Sequence, residues 1–292
     1  MQATLAEYFF RFLSLLPLSM AHKIGSAIGH IAYMLPNSLK HPLKINIDLC
    51  FPDLSAAERA DLCKNSFIEM CKGLAEGGAM FTWDSQRLLN LVKQVSGEEH
   101  LKQGLDKGKG VILALPHLGC WEILSVYCPT HYPTTALYRP LRLSGLDPFI
   151  KQARERFGTT PVPTNATGIR SLYKALNKNE VVAILPDQDP GREGGVFAPF
   201  CGISASTMTL VPRLIDKTGA TLVYGYAERL PNGTGYNIHF LPEPNDFKNL
   251  DLQEATKLLN QGVERCVQQS PEQYLWVYKR FKTRPEGEPS IY

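Results

Sequence analysis

Twice this chain runs five apolar residues straight into a proline and then a titratable side chain. The first run is Val111-Ile-Leu-Ala-Leu115 before Pro116 and His117; the second is Val181-Val-Ala-Ile-Leu185 before Pro186 and Asp187. Runs this short, bounded by turn residues such as Lys-Gly-Lys-Gly, fit strands buried on both faces. Proline ends each run because it has no N–H to give to a sheet ladder. Two neighbouring parallel strands that finish alike would feed one cleft. Open α/β sheets hold their ligands there, at the carboxyl ends of the strands.

The rest of the chain agrees with that frame. Further strands are expected at Thr134–Tyr138, Thr221–Tyr226 and Tyr236–Leu241. Helices are expected from Asp147-Pro148 through Phe157, from Thr167 to about Asn177, and from Leu252 to Gln269, with a short one from Pro271 to Tyr278. Residues 191–202 read as a loop, and Ala205-Ser-Thr207 as the start of a helix interrupted by Pro212. Upstream, Ser55-Ala-Ala-Glu58 is a capping box opening a helix to about Leu74, with Gly77-Gly78 as its stop. Another helix covers Trp83 to Val92. The expected fold class is therefore α/β, a mostly parallel or mixed sheet with helices on both faces, preceded by a helical amino-terminal region. The boundaries are 1–36, 37–95 and 96–292.

Residues 8–35 are strongly apolar, yet Arg11, Pro17, His22, Lys23 and His30 interrupt them before about 20 apolar residues accumulate. Two amphipathic helices broken near Pro17 and lying against a membrane fit better than a signal peptide. With 292 residues, one large α/β domain can bury a sizeable core. A net charge of +3 gives no basis for a dedicated nucleic-acid binder. Seven scattered cysteines without a C-x-x-C suit free thiols in a reducing compartment, and no His/Cys spacing suggests a metal.

His117 is followed five positions later by Glu122. On one continuous helix these would point about 140° apart, so they meet only if the chain bends between them at Gly119. A carboxylate bonded to one imidazole nitrogen fixes the tautomer and makes the other nitrogen a better base. The same spacing also describes a satisfied loop histidine. Cys120 and Ser125 sit in no G-x-S-x-G elbow, so the nucleophile belongs to the substrate. His117 would deprotonate a hydroxyl that attacks an activated acyl group.

These residues carry a resemblance. His117-x4-Glu122, Asn46 with Cys50-Phe51-Pro52, Tyr138-Arg139-Pro140, Pro186-Asp-Gln-Asp189, Gly195-Val-Phe-Ala-Pro-Phe-Cys-Gly202 and Pro271 through Gly287 are together similar to the late acyltransferases of bacterial lipid A biosynthesis. The resemblance implies a glycerolipid-acyltransferase-like fold. It implies acyl carrier protein as acyl donor, a Kdo-bearing lipid A precursor as acceptor, no cofactor, and a seat on the cytoplasmic face of the inner membrane through an amino-terminal anchor. By position it makes His117 and Glu122 the catalytic pair and assigns Arg154, Arg139, Asp187 and Asp189 to the substrate. Cys201 departs from the pattern, standing where many members carry an aromatic. Two other readings use the same residues: acyl transfer to another glycolipid or aminolipid, and lipid binding without turnover.

Overall fold

A computed structural model describes residues 2–140, 146–247 and 249–292. Its centre is a seven-stranded sheet made of β1 (Val92–Ser96), β2 (Val111–Ala114), β3 (Thr134–Tyr138), β4 (Thr160–Pro163), β5 (Val181–Ile184), β8 (Thr221–Arg229) and β9 (Tyr236–Pro242). Between β5 and β8 the chain folds a separate hairpin, β6 (Gly195–Phe200) and β7 (Ile203–Met208). The spatial order is β1-β9-β8-β2-β5-β3-β4. Strands β8, β2, β5, β3 and β4 run parallel, while β9 is antiparallel to β8 and carries β1 alongside it. The sheet is thus mixed, with the expected parallel centre.

Alternation explains why β2 and β5 are apolar throughout. Successive side chains of a strand point to opposite faces. Ile112, Ala114, Val182 and Ile184 enter one core; Val111, Leu113, Val181 and Ala183 enter the other. Helices supply both. Helix α11 (Leu252–Val267) and the inner face of α9 (Ala166–Asn177) pack into the first core, and α7 (Trp121–His131) into the second.

Several elements depart from expectation. Residues 195–208 are the β6–β7 hairpin, not loop and helix. Cys201 and Gly202 form its two-residue turn, both with positive φ (51° and 76°), which matches the right-handed twist of the flanking strands. The helix after it, α10 (Leu210–Thr218), starts later and holds Pro212 in its first turn, where no hydrogen bond is lost. Strand β4 carries no strand signal in the sequence because Pro161 and Pro163 interrupt it; an edge strand tolerates both. Strand β1 replaces the expected end of a helix near Val92, so the sheet begins before Ser96. Helix α6 (Glu98–Asp106) was not expected, and the segment after Pro271 makes only a 3-10 turn through Gln273.

The amino-terminal region is helical as read: α1 (Gln2–Leu13), α2 (Leu18–Met34), α3 (Lys40–Cys50), α4 (Ala56–Thr82) and α5 (Ser85–Leu89). The capping box at Ser55 and Glu58 forms with both hydrogen bonds. Gly77 and Gly78 do not stop α4. Gly78 is where α1 crosses it, and a Cβ there would lie 2.7 Å from that of Leu13. A buried ion network fastens these helices to the sheet. Glu76 of α4 accepts from Arg229 Nε (2.9 Å) and Nη2 (2.6 Å) at the end of β8 and from Tyr236 Oη of β9 (2.9 Å). His22 of α2 lies 3.0 Å from the same carboxylate. Burial alone would raise Glu76, yet the adjoining Arg229 charge and these bonds hold it at about 2.

Among the described residues, no helix is long and apolar enough to cross a membrane. Ten of the twelve exposed large apolar side chains among the described residues nevertheless lie between Tyr8 and Leu39. Helix α1 turns Leu13 into the fold and leaves Tyr8, Phe9 and Phe12 outside. Helix α2 buries Leu18 and Ala21 and exposes Ile28, Ile31 and Met34.

Candidate active site

Strands β2 and β5 pair in register, Val111 with Val181 through Ala114 with Ile184, a constant offset of 70 residues. His117 and Asp187 are separated by the same offset and follow the same Leu-Pro step. Their backbones therefore leave the sheet side by side. The Asp187 carboxylate takes two bonds from one residue: His117 Nδ1–H donates to Oδ1 at 2.7 Å, and the His117 backbone N–H to Oδ2 at 2.7 Å. Burial would raise the Asp187 carboxyl, but its interaction with His117, electrostatic and through these two bonds, holds it below its ordinary value. A carboxylate at Nδ1 fixes the tautomer that leaves Nε2 as the acceptor. Gln188 Nε2 donates to that atom at 3.2 Å.

The loop between His117 and α7 is fixed from two sides. Gly119 N–H donates to Gln273 O (3.1 Å), Cys120 N–H to Ala227 O (2.8 Å), and Leu275 N–H to His117 O (3.0 Å). Gly119 has φ of 60°, and a Cβ on it would sit 1.9 Å from Ala227 O. Only glycine lets the loop lie this close to β8. The bend at Gly119 was legible in the sequence; its consequence was not. Glu122 does not reach the ring. It enters the first turn of α7 and faces α8 (Asp147–Glu155), where Arg154 Nε and Nη2 donate to its two oxygens at 3.1 and 2.5 Å. Both imidazole nitrogens are already engaged elsewhere. The expected His117–Glu122 bond is therefore replaced by two separate pairs, His117–Asp187 and Glu122–Arg154.

The remaining expected residues fall out differently. The Arg154 guanidinium also lies over the Tyr138 ring, 5.3 Å from its centroid. Arg139 is exposed beyond β3. Arg156 points away from the cleft and donates to Trp83 O at 2.9 Å. Asp189 is buried, and its oxygens accept from Gly191 N–H, Thr283 N–H and Thr283 Oγ1 at 2.7 to 3.0 Å. It ties the carboxyl-terminal segment beneath the site instead of facing a substrate. Arg280, in the basic run Lys279–Arg284, is buried and holds the β6–β7 hairpin through Ser206 O and Thr207 Oγ1. Neither Cys120 nor Ser125 is poised as a nucleophile. Burial pushes the Cys120 thiol well above its usual range, and Ser125 donates its hydroxyl to Glu122 O.

Two grooves meet here. One, about 770 Å³, runs between α4 with Phe10 of α1 and the loop Gly119–Glu122, with Glu76 and Arg229 in its wall. The other, about 560 Å³, is floored by Leu113, Ala136 and Ala183 of the sheet and walled by Leu124 and Cys128. They share Trp121 and Glu122, and the Trp121 ring packs against the His117 imidazole at 5.0 Å. His117 itself lines neither groove and adjoins their junction through the Trp121 ring.

The family described as bacterial lipid A biosynthesis acyltransferase matches residues 3–283. The lipid A biosynthesis lauroyltransferase of Escherichia coli (strain K12) is 32% identical over 281 residues, which is 95% of this chain and 90% of that protein. The palmitoleoyltransferase of the same organism is 30% identical over 278 residues, again 95% and 90%. Its myristoyltransferase is 25% identical over 281 residues, 96% of this chain and 86% of that protein.

Proposed function

Because the chain belongs to the bacterial lipid A biosynthesis acyltransferases, we propose that it moves a fatty acyl chain from acyl carrier protein to a hydroxyl of a Kdo-bearing lipid A precursor. His117 is the general base. Its Nε2 takes the hydroxyl proton as the oxygen attacks the thioester carbonyl; the C–S bond then breaks, and the carrier leaves as its thiol. The observation that carries this reading is the 2.7 Å bond from Nδ1–H to Asp187. It aims the basic lone pair away from the sheet and stabilises the imidazolium that forms. Asp187 is a positioning residue. Glu122 holds Arg154 beside the second groove, where the guanidinium is placed to face substrate oxygen.

The sheet-floored groove suits the donor chain, since its floor is apolar and closed by β-strands. The groove beside α1 and α4 suits the acceptor's lipid end, because its rim carries exposed Leu74 and adjoins the apolar face of α1. That face seats the protein on the cytoplasmic side of the inner membrane. It does so by lying in the interface, which helices of 12 and 17 residues can do at a length short of the roughly 30 Å hydrocarbon core.

The test is transfer by purified protein from acyl carrier protein thioesters to a tetra-acylated Kdo–lipid A precursor, with other glycolipids and aminolipids as rival acceptors. Product on the precursor, lost on the order of 10²–10⁴-fold in folded His117→Ala, is expected. Product on a rival acceptor alone would move the acceptor class. No product on any acceptor, with lipid still bound, would reduce the protein to a lipid binder.

A further inference from the structure

We propose that Gln188 is a displaceable cap on the base: its amide occupies the Nε2 lone pair of His117 until the acceptor hydroxyl takes that place. The cap withholds the base from water while a thioester is bound. The inference rests on His117 being the general base.

Nδ1–H is committed to Asp187, which leaves Nε2 as the only acceptor atom of the neutral ring. Gln188 Nε2 donates to it at 3.2 Å. The atom that must receive the hydroxyl proton is therefore already occupied by a protein donor, and a ring nitrogen lone pair takes one donor at a time. An amide N–H does not surrender its proton, so the cap blocks the base without consuming it. At 3.2 Å the bond is at the long end for an N–H donor, whereas a hydroxyl approaches to 2.7–2.8 Å. The incoming substrate thus has the stronger claim.

The neighbours of Gln188 are buried and hydrogen-bonded in place. Asp187 is held by His117 and Asp189 by Gly191 and Thr283, and both are buried, while Gln188 between them is partly exposed. Its side chain can swing out without shifting the backbone that positions the base. The chemistry that such a cap restrains is definite. Water deprotonated at Nε2 would attack the thioester carbonyl, break the C–S bond, and release a free fatty acid and the carrier thiol. The competing transfer breaks the same bond and differs only in the oxygen that arrives. A hydroxyl delivered with its whole lipid bound can displace the amide; a water molecule brings no such binding energy.

Gln188→Leu keeps side-chain bulk and removes the donor. Gln188→Asn keeps an amide one methylene short of the ring, and decides the matter if the leucine variant does not fold. In the full-length protein, His117 carbethoxylation by diethyl pyrocarbonate, followed by peptide mass, should be about fivefold faster in either variant, the occupancy change for one ordinary hydrogen bond. Free laurate released from lauroyl-acyl carrier protein, relative to laurate transferred, should rise by about the same factor. Unchanged labelling, or labelling that rises while the hydrolysis-to-transfer ratio does not, overturns the cap. Were His117→Ala to retain its transfer rate, the base reading would fall and the cap with it. Labelling tells that failure from a failed cap, because it is scored without turnover.

Discussion

Replacing Asp187 by asparagine separates the His117–Asp187 pair from every other reading of the site. The carboxylate accepts two donors from His117, the backbone N–H at Oδ2 and the ring Nδ1–H at Oδ1, both at 2.7 Å. Asparagine offers one acceptor and one donor group in the same outline. The backbone N–H cannot rearrange, so the amide oxygen goes to it and the NH₂ faces Nδ1. The ring must then accept at Nδ1 and carry its proton on Nε2, where it can no longer take one from a hydroxyl. In a serine-protease triad the equivalent exchange costs about 10⁴-fold in kcat through the wrong tautomer. A loss of 10³–10⁴-fold in kcat with KM nearly unchanged is therefore expected here. Loss of a bond to a charged group adds a stability cost of about 1.5–3 kcal/mol, readable by denaturant titration. Steady-state transfer with a saturating thioester measures the first effect. A folded Asp187→Asn protein within tenfold of the parent would refute the tautomer argument, and so would a Glu122→Gln variant more damaged than it.

Glu122→Gln and Arg154→Lys each weaken a two-bond fork, so each should slow transfer by roughly 10- to 100-fold through misplacement, and their double variant should be no slower than the worse single one. Arg156→Lys should be mild, because a lysine can still donate to Trp83 O. Tyr8→Ser, Phe12→Ser and Leu15→Ser together remove apolar surface that is 65, 63 and 78% exposed; sedimentation with anionic phospholipid vesicles should fall by about 10³-fold at roughly 1.5 kcal/mol per side chain, while the unfolding midpoint stays put. Glu76 titrates at about 2 in the fold against an ordinary 4.5. Its contribution, on the order of 3 kcal/mol, is thus present above pH 4.5 and lost as pH falls toward 2. In Glu76→Gln that acid-dependent slope should disappear from denaturant titrations across the same range, and stability at neutral pH should be lower from the start.

What could be read of the fold was whatever local chemistry decides alone. Apolar runs closed by proline gave β2, β3 and β5 to within a residue or two, and the serine cap gave the start of α4. What failed was decided by partners distant in sequence. Gly77 and Gly78 look like a helix stop until α1 lies across them. Val92–Ser96 has no strand signature of its own and is a strand because β9 stands beside it. The β6–β7 turn hid because cysteine is an unusual occupant of positive φ, and Cys201-Gly202 does not advertise a hairpin as Asn-Gly would. The amino-terminal helices were legible, but their division of labour was not. Residues 8–35 read as helices lying against a membrane, yet Leu13 and Leu18 are buried and Trp83 Nε1 donates to Ser14 O at 2.8 Å. Wholesale deletion of this segment would therefore damage packing along with membrane contact, whereas substitutions at Tyr8, Phe12 and Leu15 touch only the outer face.

The site itself is more nearly legible in the sequence than the spacing of His117 and Glu122 suggests. The two runs VILALPH and VVAILPD align position for position. Once they are taken as adjacent parallel strands in register, residues after the prolines must sit about one strand spacing apart, roughly 4.8 Å between backbones. An aspartate at that distance reaches an imidazole without help from a helix. Glu122 is near His117 in sequence, but a glutamate in the first turn of a helix is held by that helix. Here the helix aims it at α8. Sequence nearness and strand register thus made competing claims on the same ring, and register won because it fixes backbone positions, whereas five residues of loop and turn fix none. The same alignment places Gln188 one step past Asp187, within reach of the nitrogen that Asp187 leaves open. No local signal marks it. Its position becomes informative only when the base, the tautomer and the neighbouring strand are already known.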